Sequence, residues 1–144
     1  MSMKRTKVLT EENYQDFEKI AKKYSLRLIL LFGSAVSSKL HPRSDIDIAV
    51  LSEKPDLSLE SYSNLLFDLQ RRFPKREVDL AIINRADPLF LKKITENCRL
   101  LYGNPRELAK LKIYAFKRYV DHQKYFNLEK KFAQNFIKRC AMGL

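Results

Sequence analysis

Transition-metal donors are scarce in this sequence: two cysteines, Cys98 and Cys140, and two histidines, His41 and His122, are spread over 144 residues. The cysteines have no CxxC spacing and few helpers, so they read as buried or idle thiols, not as zinc ligands. Equally missing is any apolar run near the roughly 20 residues that span a bilayer. Residues 1–10 are basic but lack the apolar stretch of a signal peptide, and the expectation is a cytoplasmic protein with no membrane partner. No internal repeat and no low-complexity segment occurs. What remains, with 45% apolar and 11% aromatic residues, is enough for one compact core and too little for two ordinary domains.

Charge of one sign is in excess. The net charge of +11 points to an anionic partner, whether nucleic acid, nucleotide or an acidic protein surface. Its distribution is uneven: residues 1–103 carry 18 basic against 14 acidic side chains, whereas residues 104–144 carry 10 against 3. The tail therefore reads either as a solvated basic helix face or as a binding surface.

Periodicity divides the chain into alternating helices and strands. Thr10 caps an expected helix to Tyr24, with Tyr14, Phe17, Ile20, Ala21 and Tyr24 at helical spacing and Glu11 and Glu12 in its first turn. Arg27 to Phe32 reads as a buried strand stopped by Gly33 and Ser34. After a polar connection, a strand from Asp45 sets Asp45, Asp47 and Ala49 on one face and Ile46, Ile48 and Val50 on the other. A helix over Ser58 to Phe73 ends at Pro74. The next strand, Glu77 to Ile83, opposes Val78, Leu80 and Ile82 to Asp79, Ala81 and Ile83. Pro88 opens a short helix to about Asn97, and Cys98 to Tyr102 forms a short edge strand. Pro105 starts an amphipathic helix to about Phe126, and a second helical stretch runs from Leu128 to Met142. The implied fold is α/β (α+β), a small mixed sheet flanked by helices, with residues 1–103 as the catalytic domain and 104–144 as a helical extension.

The chemistry-bearing residues lie at two strand ends. Asp45 and Asp47, two apart on a strand, present their carboxylates on one side, roughly 7 Å apart along the chain. Such hard oxygens suit Mg²⁺, and two ions about 3.5–4 Å apart stabilise both attacking and leaving oxygens of a phosphoryl transfer. Asp79 on the following strand supplies the third carboxylate. Gly33, without a Cβ, lets the backbone approach phosphate, while Ser34 offers N–H and hydroxyl donors to the β- and γ-phosphates. Asp79 is then the candidate base for the attacking hydroxyl, with Asp45 and Asp47 bridging the ions and pyrophosphate leaving. Taken singly, each residue also fits a turn or an exposed strand position; taken together, their order and context fit one active site.

Phe32-Gly33-Ser34, ten residues, then Asp45-Ile46-Asp47 resembles the Gly-Ser and Asp-x-Asp signature of the DNA polymerase β-like nucleotidyltransferases. The likeness continues through Val78-Asp79-Leu80, Asn84 to Pro88 and Leu100-Leu101-Tyr102-Gly103, and over most of residues 20–125 the chain is similar to the minimal nucleotidyltransferases encoded as antitoxins beside HEPN ribonuclease toxins. That resemblance implies a polymerase β-like fold and an adenylyltransferase that uses ATP and Mg²⁺ to attach AMP to a tyrosine of its partner toxin. Family members often carry an Arg and a Gly shortly after the Gly-Ser. Here the stretch is Ala35-Val36-Ser37-Ser38, which leaves two alternatives: Lys39 or Arg43 supplies the cation, or the protein binds nucleotide weakly. Two other functions stay open at this point: nucleotidyl transfer to RNA or a small molecule, and a non-catalytic antitoxin that acts by binding. Homo- and hetero-oligomers are equally open.

The tail carries two apolar stripes: Leu108, Leu111, Ala115, Tyr119, His122 and Phe126, then Phe132, Phe136, Ile137 and Cys140. Either stripe fits partner docking or folding back on the core. His122 reads as a packed or surface histidine.

Overall fold

Of the seven residues of β1 (Leu26–Phe32), six are buried and only Arg27 is exposed. A strand of that composition has no wet face. In the computed structural model, which describes residues 11–36 and 45–143 except for the side chains of 11–13, β1 is an inner strand. Its neighbours are β2 (Ile46–Ser52), β3 (Val78–Ile82) and β4 (Cys98–Tyr102), in the order β3-β2-β1-β4. Strand β1 pairs antiparallel with β2 and β4, and β2 pairs parallel with β3, which makes the sheet mixed as expected. Thr10, the side chains of Glu11 and Glu12, Lys39, His41 and Arg43 lie outside the described residues.

Helices cover both faces. Ile29, Leu31, Ile46, Ile48, Val50, Val78 and Leu101 form one core with Phe17, Ile20 and Ala21 of α1 (Glu11–Tyr24) and Leu65 and Leu69 of α2 (Leu59–Gln70). Leu28, Leu30, Phe32, Ala49 and Ile83 form the other with Leu91 and Ile94 of α3 (Pro88–Glu96) and Leu111 and Ala115 of α4 (Pro105–Ala141). Each fully buried aliphatic or aromatic side chain contributes about 1.5–3 kcal/mol relative to exposure. This corrects one expectation: alternation alone set Asp79 and its fellows on a face turned away from the core, whereas that face carries a second core along most of its length. The aspartates occupy its end.

Local hydrogen bonds fix how α2 delivers the chain to β3. The Gln70 side-chain amide donates to the carbonyls of Phe73 (3.0 Å) and Arg76 (2.6 Å) and accepts from the Val78 N–H (2.9 Å). Glu77 then accepts from the Ile46 N–H at 2.8 Å, starting the β2–β3 ladder. At the other end, Asn84 donates to the Ser52 carbonyl (3.0 Å) and accepts from its N–H (2.9 Å), tying the turn after β3 back to β2. Ser58 and Asp87 cap α2 and α3 through bonds from Ser61 N–H (3.1 Å) and Phe90 N–H (2.8 Å).

The tail differs from its expectation. One continuous helix, α4, spans all 37 residues from Pro105 to Ala141, about 55 Å at 1.5 Å per residue. No Pro or Gly lies inside it to break it. Its first stripe folds back: Leu111 and Ala115 are buried, and the Lys92 ammonium sits 4.4 Å from the centroid of the Tyr119 ring. Beyond His122 the helix is exposed, with Phe132 at 74% and Phe136 at 60% of full exposure, so the second stripe does not join the core. Despite its length, no helix among the described residues is apolar enough to cross a membrane.

Helices α1 and α2 are clasped by polar contacts at their rim. The Tyr24 hydroxyl donates to Asp68 at 2.5 Å and the Lys23 ammonium donates to the same oxygen at 2.9 Å. The Tyr24 hydrogen bond, with help from Lys23 and against partial burial, holds the Asp68 carboxyl below its ordinary range. A carboxyl depressed in the folded state stabilises above its unfolded pKa and loses that contribution as pH falls through the folded value. Asp68→Ala should therefore unfold more easily than the parent at pH 7, by about 1 kcal/mol. Denaturant melts taken as pH falls through and below the ordinary carboxylate range should bring the two proteins together. A gap that stays constant over that range would show that the clasp is not an ionised one.

Candidate active site

The parallel register of β2 and β3 sets Asp47 directly beside Asp79. Paired residues on adjacent strands share a face, so the two carboxylates emerge on the same side of the sheet. The antiparallel register of β1 puts Phe32 on the other side of Asp47, and the chain leaves β1 there through Gly33. Asp45 lies one residue ahead of β2, not within it as the alternation suggested; it and Asp79 are exposed, and Asp47 is half-buried.

Gly33 has a more specific reason to be glycine than room for phosphate. Its φ is +72°, and a Cβ added to it would lie 2.5 Å from Oδ2 of Asp47. The bare Cα thus lets the turn from Gly33 to Ala35 fold against the Asp47 carboxylate. The turn is closed by the Val36 N–H donating to the Gly33 carbonyl at 3.2 Å. Ser34, next in the turn, is partly buried and already engaged in contacts.

The electrostatics are those of crowded anions. Burial pushes the Asp47 carboxyl above its ordinary range, the negative charge of Asp79 adds to this, Lys93 opposes it, and Asp45 adds a smaller push. A divalent cation would relieve that repulsion, and hard carboxylate oxygens suit magnesium. Among the described residues no three acidic, histidine or cysteine side chains are grouped closely enough to hold a metal ion. Asp45, Asp47 and Asp79 are the acidic side chains at this end of the sheet.

Of the five residues picked from the sequence, the structure sets Gly33 and Asp79 each beside Asp47, and Asp45 is close enough to act on Asp47. Ser34 sits in the adjoining turn. Sequence reasoning placed α3 but missed its part in the site: its Phe90 ring meets Phe32 edge-on at 6.1 Å. Its Lys93 bears on Asp47, and with Asp87, Leu89, Phe90 and His122 it lines a cleft of about 520 Å³. The only available signal was helical phase from Pro88. His122, read as packed or surface, sits in that cleft beside Phe126, ring centroids 6.3 Å apart. Cys98 is half-buried with its thiol pushed up by burial, and Cys140 is exposed. A larger cleft of about 660 Å³, lined by Glu18, Arg27, Glu53 and Glu107 among others, lies at the opposite end of β1 and shares no residue with the aspartates.

Comparison with known proteins agrees with this geometry. A family model described as "Polymerase beta, Nucleotidyltransferase" matches residues 15–107. Among solved structures, a toxin–antitoxin with AMP-PNP is 22% identical, with a TM-score of 0.66 over 88% of this chain and 98% of that one. A tri-AMPylated Shewanella oneidensis HEPN toxin in complex with MNT antitoxin gives 20% identity and a TM-score of 0.62 over 90% and 99%. The spectinomycin adenyltransferase AAD(9) from Enterococcus faecialis with ATP and spectinomycin gives 20% and 0.52 over 72% and 59%. At these identities the likeness establishes the fold. No curated protein matches the sequence.

Gly33→Ala should destabilise the protein by about 1–2 kcal/mol through its left-handed backbone alone, and further through the displaced Asp47 side chain. Denaturant melts of the variant measure this; a midpoint equal to the parent's would contradict the close approach of turn and carboxylate.

Proposed function

The chain belongs to the polymerase β nucleotidyltransferase family, and from that premise we propose that it transfers AMP from ATP, with magnesium, to a tyrosine of a HEPN ribonuclease toxin, and so acts as an antitoxin in the cytoplasm. The observation that carries the reading is the pairing of Asp47 with Asp79 beside the Gly33 turn. It gives acidic side chains for a divalent cation and a turn for phosphates in one place. The choice of acceptor is supported by the solved relatives: the likeness runs over 98–99% of the two toxin–antitoxin chains but over 59% of the antibiotic-modifying one.

In this reading Gly33 and Ser34 orient the β- and γ-phosphates through the turn's donors. Asp45 and Asp47 would hold magnesium, which when bound polarises the α-phosphoryl group and offsets charge on the leaving oxygen. Asp79, on the outer strand β3 and exposed, receives the proton of the attacking tyrosine hydroxyl as its oxygen bonds to the α-phosphorus. The bond from that phosphorus to the bridging oxygen breaks, and pyrophosphate departs. No covalent enzyme intermediate is involved. Residues 1–103 act as the catalytic domain, and the exposed half of the 104–144 extension, with Phe132, Phe136 and Ile137, offers the partner a docking face.

Incubation with α-labelled ATP, magnesium and the protein encoded beside it should label that protein. Asp45→Asn with Asp47→Asn should reduce labelling by at least about 10²-fold. Label in RNA or an aminoglycoside would overturn the acceptor, and toxin neutralisation that survives the double change would overturn the enzymatic antitoxin.

A further inference from the structure

The acidic end of the sheet has to accept a triphosphate, yet the turn that faces it, Gly33 to Ala35, contains no cation. Helix α3 supplies one. It leaves the far end of β3 and leads into β4, whose first residue Cys98 pairs with Phe32, so successive turns of α3 climb toward the aspartates. Phe90 rests edge-on against Phe32, the residue paired with Asp47. Lys93, one turn further along the same side of the helix, is therefore carried past that aromatic contact to the edge of the acidic face.

Its neighbour makes the contrast. Lys92 is held by the Tyr119 ring and lies 4.0 Å from Glu96. Lys93 is exposed, makes no ion pair among the described residues and lines the 520 Å³ cleft between α3 and α4. It is also the basic side chain whose charge acts on Asp47. An ammonium with no ion pair among the described residues, near the Asp47 carboxylate and lining a cleft, is placed for an anion that arrives with its own metal.

We propose that Lys93 is a substrate-contacting residue that donates to non-bridging phosphate oxygens of the nucleoside triphosphate, supplying from α3 the positive charge that no side chain of the Gly33 turn carries. Lysine serves here as a mobile point charge. The assignment rests on the nucleotidyltransferase reading.

Calorimetric titration of the full chain with AMP-PNP in magnesium tests it, using the parent, K93A, K93R and K92A, with melts of each nucleotide-free protein alongside. K93A should bind AMP-PNP about 10- to 100-fold more weakly, the scale of one hydrogen bond to a charged group, while melting with the parent. K93R should recover affinity to within about threefold, and K92A should match the parent. Binding by K93A within about twofold of the parent, or a loss that K93R does not recover, overturns the role of Lys93 and leaves the nucleotidyltransferase reading in place. A parent protein that binds no AMP-PNP overturns both.

Discussion

The parallel pairing of β2 with β3 is the constraint on which the site depends. A one-residue slip would turn Asp79 to the opposite face, into the core that holds Val78 and Leu80, and separate it from Asp47. The register is set at both ends by bonds that involve neither aspartate. Gln70 gathers the α2–β3 connection at one end, and Asn84 binds the last residue of β2 at the other. Buried apolar pairs between them, such as Ile46 with Val78, oppose any slip. Stability elsewhere in the sheet is thus what holds mutually repelling carboxylates side by side, with a divalent ion as the natural counterweight.

An acidic site inside a basic protein divides its labour. The net charge of +11 favours approach of anions in general, while the carboxylates on their own would repel a triphosphate. In the proposed reaction metal ions would reconcile the two locally, and Lys93 would extend the reconciliation to the rim. The excess of positive charge in α4 acts at longer range, along a helix whose first stripe is anchored by Leu111 and Ala115 and whose remainder stands in solvent.

Much of this was legible in the residues. The order of Gly33-Ser34, Asp45, Asp47 and Asp79, with their alternation, pointed to the candidate site and its sheet, and each of the four strands lies within a residue or two of its expected place. What the sequence concealed has physical causes. A continuous apolar run such as Leu28 to Phe32 does not say that its alternate residues serve two cores. In α4 the expected break falls at Asn127, between the stripe that ends at Phe126 and the stretch that starts at Leu128, yet the backbone runs on through it as helix. Lys92 and Lys93 are chemically identical neighbours, and only their phase on α3 separates one held by Tyr119 from one facing the aspartates. The reason for Gly33 was half visible, because its close approach to Asp47 depends on the packing of strands distant in sequence.

The claim that these carboxylates form one divalent-metal centre is tested most directly by counting bound manganese through electron paramagnetic resonance, with AMP-PNP present. The account predicts roughly two ions per chain and a loss of binding in Asp79→Asn, even though residue 79 belongs to a different strand from the Asp-x-Asp pair. A protein that binds no manganese under these conditions, or whose stoichiometry and affinity are indifferent to residue 79, would contradict it.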